Sequence, residues 1–370
     1  MAAYAKRTMP GGARDLLCID HYFKKKALID LIHQSATVHN WHAILDFSIH
    51  IENDFNLKPG PREKLMRKVK HLPVVKNVYT GLLNRHLKKK AIYLAGVLKN
   101  KLAEAGIVIS AGEEVEIYQL TQTELNAGAE YFFPKARVYY MEHGTVDYIY
   151  VLQKQRKNGY ICIFKDSYEA YLTKKKVSIP LHQCLSKDEF TEGFLKGTPD
   201  LNLGPAKIRN GSAKKLSLFL MDALEKFQPL PEFWTDYIDH CLKEIKNPQD
   251  YTVLIKPHPT QSNEVIKITE EHFKKRKVDF IMLDKPEYAN LSVETIYVHY
   301  RQNIDFVFST FSAAIFYLSF FYGSEAKFYY SYNFTGKYIK NAPKQYKDSY
   351  EGLGELIDEV FASKHCISLA

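Results

Sequence analysis

Short uninterrupted apolar runs alternate along this chain with longer stretches in which apolar residues recur every three or four positions. The runs predict strands buried on both faces, and the 3.6-residue period predicts the helices that cover them. Leu16 to Ile19 is the first such strand, and Lys24 to Ser35 follows with Ala27, Leu28, Leu31 and Ile32 at helical spacing. Ala43 to Ile49 reads as the next strand, Arg62 to Val69 and Leu87 to Leu102 as helices, and Val115 to Tyr118, Ala136 to Met141 and Tyr160 to Phe164 as further strands. A less regular region then runs to about Gly204.

The stretch from Asp200 to Ser212 has loop composition and is the expected domain boundary, after which the alternation begins again. Leu216 to Phe227, Pro231 to Glu244, Glu264 to Lys277, Ser312 to Tyr322 and Tyr350 to Ala362 read as helices. Tyr251 to Lys256, Asp279 to Leu283, Ile304 to Phe308 and Lys327 to Tyr330 read as strands. The expectation is an α/β protein with two Rossmann-like domains facing across a central cleft: residues 1–204, residues 205–345, and a C-terminal helix and tail over 346–370.

Composition narrows the class. With 370 residues, 46% apolar and 25% charged, the chain is that of a globular protein of about two domains. Its formal charge of +9 is unevenly placed. Thirteen basic residues and one acid, Glu63, lie between Lys58 and Lys101, so this segment carries +12 and the remainder −3. An anionic partner is implied, and nucleic acid, an anionic membrane face or an anionic polymer would each fit. Five scattered cysteines without a CxxC pair indicate neither a disulfide framework nor a structural zinc site, and a reducing, cytoplasmic setting suits them. The N-terminal segment lacks the apolar core of a signal peptide. The most apolar stretch, Ile304 to Tyr322, is broken by Asp305, Ser309, Thr310, Ser312 and Ser319, so it reads as a strand entering a buried helix and not as a membrane span.

Three motifs sit where a strand hands over to the next element, the place where open α/β sheets bind ligands. In Glu142-His143-Gly144 a carboxylate and an imidazole leave a hydrophobic strand, and Gly144 would permit positive φ or a close backbone approach. The competing interpretation is a tight turn with solvated side chains. In Lys256-Pro257-His258-Pro259 two prolines hold the histidine backbone extended, and a rigidly aimed imidazole would suit a phosphate oxygen, with Lys256 adding charge; the competing interpretation is an ordinary strand exit with a surface histidine. In Ser309-Thr310-Phe311-Ser312 hydroxyls precede a helix, which suits an anion but equally suits a plain N-cap.

The three motifs in this order, with Ser309 placed 51 residues after His258, resemble those of the bacterial sialyltransferases and capsule polysialyltransferases: D/E-D/E-G, H-P and S-S/T. His258-Pro259 matches the second and Ser309-Thr310 the third, whereas Glu142-His143-Gly144 departs from the first by its histidine. The resemblance is carried by the C-terminal half and the surroundings of Glu142. It implies a GT-B scaffold and an inverting transfer of sialic acid from CMP-sialic acid with no metal and no cofactor. Glu142 would then be the base, with His143 as the alternative, and His258 the catalytic partner of the leaving phosphate. Lys256, Pro259, Ser309, Thr310 and Ser312 would hold that phosphate, and Glu294 would hold the ribose.

The basic segment would serve a second surface. Arg62, Arg67, Lys68, Lys70, Arg85, Lys88, Lys89 and Lys90 are the residues expected to hold an anionic oligosaccharide or polysaccharide acceptor, or to contact anionic lipid on the inner face of the cytoplasmic membrane. Nucleic acid is disfavoured because only Tyr79 and Tyr93 offer stacking rings there. A related GT-B transferase using CMP-Kdo or a CDP-alditol donor would need the same phosphate chemistry.

Overall fold

The computed structural model of the chain describes residues 14–19, 41–46, 73–109, 113–120, 125–142, 144–154, 159–183, 185–197, 215–285, 288, 291–362 and 365–369. Its contacts divide it into two compact units. One holds Met1–His143, Tyr150–Lys165 and Leu172–Leu185; the other holds Gly144–Ile149, Asp166–Tyr171 and Ser186–Ala370. Each unit is built on a parallel sheet, so the α/β class and the two Rossmann-like sheets are as the sequence pattern predicts. The predicted helices at Lys24 to Ser35 and Arg62 to Val69, and the boundary at Asp200 to Ser212, lie outside the described residues.

In the first unit six strands, β1 (Arg14–Ile19), β2 (Ala43–Asp46), β3 (Val115–Leu120), β4 (Arg137–Met141), β5 (Tyr160–Cys162) and β6 (Leu181–Gln183), lie in the order β2-β1-β3-β4-β5-β6. Helix α1 (Pro73–Glu104) is much longer than the pattern predicts, beginning at a proline that suits a first helical position. Its inner stripe is Lys90, Ala91, Leu94, Ala95, Leu98 and Leu102, all buried and spaced by helical turns. Against it packs α2 (Leu125–Phe132) through Gly128. A Cβ at Gly128 would lie 2.4 Å from the Leu94 Cβ and 2.9 Å from the Leu94 carbonyl carbon. Gly128→Ala is therefore expected to force the two helices apart and to destabilise the protein by about 1–3 kcal/mol, read as a lowered urea midpoint at unchanged slope.

The region up to residue 197 is regular, contrary to its sequence pattern. It contains α3 (Val146–Lys154), α4 (Lys165–Lys174) and α5 (Lys187–Gly197) in addition to β6. Tyrosines carry the inner face of α4: Tyr168, Tyr171 and Leu172 are buried at i, i+3 and i+4 among charged neighbours, which dilutes the apolar signal.

The second unit contains β7 (Lys215–Met221), α6 (Phe233–Lys243), β8 (Tyr251–Pro257), α7 (Asn263–Arg276), β9 (Asp279–Met282), α8 (Val293–Tyr300), β10 (Ile304–Ser309), α9 (Ala313–Tyr322), β11 (Lys327–Tyr330), α10 (Tyr332–Gly336), α11 (Lys344–Leu356) and β12 (Cys366–Ser368). The strands are parallel in the order β12-β11-β10-β7-β8-β9. One prediction fails here: Leu216 to Phe227 is a strand followed by a short 3-10 turn at Glu225–Phe227, not a helix. Leu218, Phe219, Leu220 and Met221 fill both faces of the central strand, and such a run has no period by which to tell it from a buried helix. Residues assigned to a C-terminal tail also join the sheet, since β12 pairs with β11 from Phe328↔Cys366 to Tyr330↔Ser368. Among the described residues no helix is long and apolar enough to cross a membrane.

Candidate functional site

The strand order of the second sheet reverses at β7: the chain runs outward through β8 and β9, then returns to β7's other edge with β10. Ligands of open parallel sheets bind at the carboxyl ends of the strands flanking such a reversal. The register sets three strand ends side by side there. Met221 pairs with Pro257 and Phe219 with Phe308, so Asp222, directly after β7, is flanked by His258 after β8 and by Ser309 to Phe311 at the end of β10. The His258 N–H donates to the Met221 carbonyl at 2.9 Å, which carries the ladder one step beyond the strand.

His258 is held by its bonds to Met221 and Thr260, and one of them fixes its tautomer. Thr260 donates its backbone N–H to Nδ1 at 3.2 Å, with its hydroxyl 2.8 Å from the same nitrogen. A ring nitrogen that accepts an N–H carries a lone pair, so the proton sits on Nε2 and leaves that edge as a donor. Burial lowers the His258 pKa from its usual value; Lys256 and Lys226 add to the shift, and Asp222 and Glu225 oppose it. The ring is therefore neutral near pH 7. Lys256 itself is buried with Nζ 3.3 Å from the Pro257 carbonyl, so its charge lies beneath the strand end, while Pro259 is exposed.

Ser309 and Thr310 differ from the sequence expectation. Both are fully buried, and the donors expected to face a phosphate are turned onto Asp222. One oxygen, Oδ2, accepts from the Ser309 hydroxyl at 2.9 Å, the Thr310 N–H at 2.8 Å, the Phe311 N–H at 3.1 Å and the Thr310 hydroxyl. Neither hydroxyl is presented to solvent. Ser312 is different: it is half-buried, caps α9 without a side-chain bond to it, and donates its N–H to the Ser309 hydroxyl at 3.1 Å. In the first turn of α9 the Ile315 N–H already donates to the Ser312 carbonyl at 3.2 Å, so the Ala313 and Ala314 N–H groups and the positive end of the helix dipole are what the helix start offers a ligand.

The turn ahead of α9 is braced from behind. Phe311 meets Tyr350 edge-on at 5.3 Å, and Tyr350 stacks on Tyr332 at 4.1 Å. Each of these tyrosines donates its hydroxyl to the other's carbonyl. Burial pushes the Tyr332 phenol up to about 12, so both hydroxyls stay protonated donors throughout the working pH range.

Glu294 lies in the first turn of α8, half-buried. Burial raises its pKa, opposed by hydrogen bonds from its own N–H and from Ser292. The structure thus ties Glu294 to the start of its own helix.

In the first unit, Glu142 follows β4 and is 1% exposed. Its N–H donates to the Ile161 carbonyl at 3.0 Å, and its Oε2 accepts the Ile163 N–H at 2.7 Å, a short bond typical of a carboxylate acceptor. A solvated turn is therefore not what the chain forms. His143 lies outside the described residues. Gly144 takes neither expected role: its φ is not positive and a Cβ there would meet open space. It lies two residues ahead of α3, its carbonyl accepting the Asp147 N–H at 3.0 Å.

Of the basic residues, Arg62, Arg67, Lys68 and Lys70 lie outside the described residues, and Arg85 falls within α1. Lys88 and Lys89 are exposed on that helix. Lys90 is buried on the inner stripe and leaves the predicted surface, because it falls one position too far round the helix.

Asp222 is the residue that sequence reasoning missed. Its signal was present as a carboxylate directly after an apolar run, but assigning that run to a helix concealed the strand end.

The sequence matches no protein-family model and no curated protein. Solved structures are similar to this chain at low identity. The UDP-GlcNAc 2-epimerase from Methanocaldococcus jannaschii is 12% identical, with 95% of this chain and 94% of that chain covered at a TM-score of 0.44. The Candida albicans trehalose-6-phosphate phosphatase N-terminal domain is 12% identical over the same shares at 0.42. Anabaena HepE in complex with UDP and glucose is 11% identical, covering 86% and 81% at 0.40.

Proposed function

We propose that this protein is a GT-B glycosyltransferase that moves sialic acid from CMP-sialic acid to an anionic oligosaccharide or polysaccharide acceptor by inversion, without a metal or cofactor. The observation that carries the proposal is the set of donors at the sheet reversal of the second unit: the Nε2–H of His258, the hydroxyl of Ser312 and the first turn of α9. These suit the phosphate of a leaving nucleoside monophosphate, which gains charge as the glycosidic bond breaks and is stabilised by donors already in place. The motif resemblance supplies the sugar and the nucleotide.

In the transfer, Glu142 takes the proton from the acceptor hydroxyl as its oxygen attacks the anomeric carbon. The Ile163 N–H holds one carboxylate oxygen in place, so the other has a fixed direction. Glu294 is the proposed partner of the ribose hydroxyls. Exposed Lys88 and Lys89 supply charge for a polyanionic acceptor or for anionic lipid on the inner membrane face.

Mass spectrometry of products formed from CMP-sialic acid and short sialylated primers tests donor and acceptor together. Primers lengthened by sialic acid units are expected; growth with CMP-Kdo or CDP-glycerol alone would replace the donor. With Lys88 and Lys89 both changed to Glu, the product ladder is expected to shorten at physiological salt, and an unchanged ladder would remove these residues from the acceptor surface.

A further inference from the structure

We propose that Asp222 is a positioning residue of the donor site: it gathers Ser309, Thr310 and Phe311 on one carboxylate oxygen, so that Ser312 and the start of α9 face the donor phosphate beside His258. This assignment deepens the function proposed above and rests on it for the identity of the donor.

Four donors on one buried oxygen are more than a helix cap requires. The two N–H groups come from consecutive residues, so the carboxylate dictates the backbone path between the end of β10 and the start of α9. With Ser309 and Thr310 consumed, phosphate contacts fall to Ser312 and the first helical turn. Asp222 also lies next to His258 across the β7–β8 ladder. The charged groups around that imidazole are Asp222 after β7, Glu225 and Lys226 on the 3-10 turn, and Lys256 on β8, so Asp222 is one of two anions that favour its protonated form.

A carboxylate in this position has a cost for an anionic ligand, which it would repel if bare. Two N–H groups and two hydroxyls on Oδ2 disperse that charge, which is consistent with a structural anion beside a ligand anion.

The test uses the full chain as Asp222→Asn and Asp222→Glu, with the His258 imidazole titrated by NMR and assigned by its loss in His258→Gln. In Asp222→Asn the His258 pKa is expected to fall by about half a unit or more, and turnover by about tenfold or more with donor KM changed less. Asp222→Glu keeps the charge and misplaces the oxygen, so it should retain the wild-type titration while losing turnover. An unshifted titration in Asp222→Asn, or full turnover in Asp222→Glu, overturns the proposal.

CMP binding to single hydroxyl variants decides it independently should the Asp222 variants fail to fold. Ser312→Ala is expected to weaken CMP by about three- to tenfold and Ser309→Ala, which loses bonds to Asp222 and to the Ser312 N–H but no phosphate contact, by less; the reverse order places the phosphate on Ser309 and overturns the assignment. A chain that transfers no sialic acid but shows the His258 shift would refute the donor and leave Asp222 in place.

Discussion

Glu142→Gln is expected to lower sialic acid turnover by about 10²- to 10⁴-fold while leaving CMP affinity within about twofold of wild type. The substitution is close to isosteric and can still accept the Ile163 N–H through its amide oxygen, so the hydrogen bond at 2.7 Å and the fold of the strand end should persist. What is lost is basicity. A carboxamide cannot take a proton from an attacking hydroxyl, so the defect belongs in turnover and not in donor binding. Equilibrium CMP titration and single-turnover transfer measured on the same preparation separate the two. Retained turnover in Glu142→Gln, with loss in His143→Ala, would transfer the base to the imidazole.

His258→Ala should reduce turnover by about 10²- to 10³-fold, because in the proposed transfer the Nε2–H donates to the charge that develops on the leaving phosphate. Ground-state affinity for CMP should fall much less, by about three- to tenfold, since a bound monophosphate can hold water in place of the lost ring. The same residue predicts a pH dependence of stability. The folded-state pKa lies below the unfolded value of 6.5, so on acidification the unfolded chain takes up this proton first. Stability contributed by the neutral ring is present above pH 6.5 and declines as the pH falls from there towards the lower folded value. Protonation also ends the acceptance of the Thr260 N–H by Nδ1. The acid-side loss in melting temperature should therefore be smaller in His258→Ala than in wild type, although His182 and His240, also lowered by burial, contribute in the same direction and will remain.

The strands of the second sheet were legible where their flanks were distinct. Lys327 to Tyr330 is bounded as predicted, and β8 and β10 extend the predicted runs by one residue each, to Pro257 and Ser309. β7 reads as a helix in sequence because Leu218 to Met221 is apolar on both sides, and the Glu225–Phe227 turn behind it prolongs that apparent helix. With that strand went Asp222, and with Asp222 the fate of the Ser309 and Thr310 hydroxyls. Local sequence shows that Ser and Thr precede a helix; which acceptor they meet depends on a residue 87 positions earlier. The histidine was easier, because the two prolines act on their immediate neighbours and the Thr260 bond that fixes the tautomer is also local.

That separation has a bearing on how the protein matures. Asp222 can meet Ser309 only after three strand-and-helix units have been formed and β10 has returned to the open edge of β7. Pairings between distant segments are slow to close during folding, because the intervening chain must be ordered before they form. Helical content and much of the core can thus be in place before the turn ahead of α9 acquires its acceptor. Nucleotide binding would then appear as one of the last events of refolding, lagging far-UV circular dichroism.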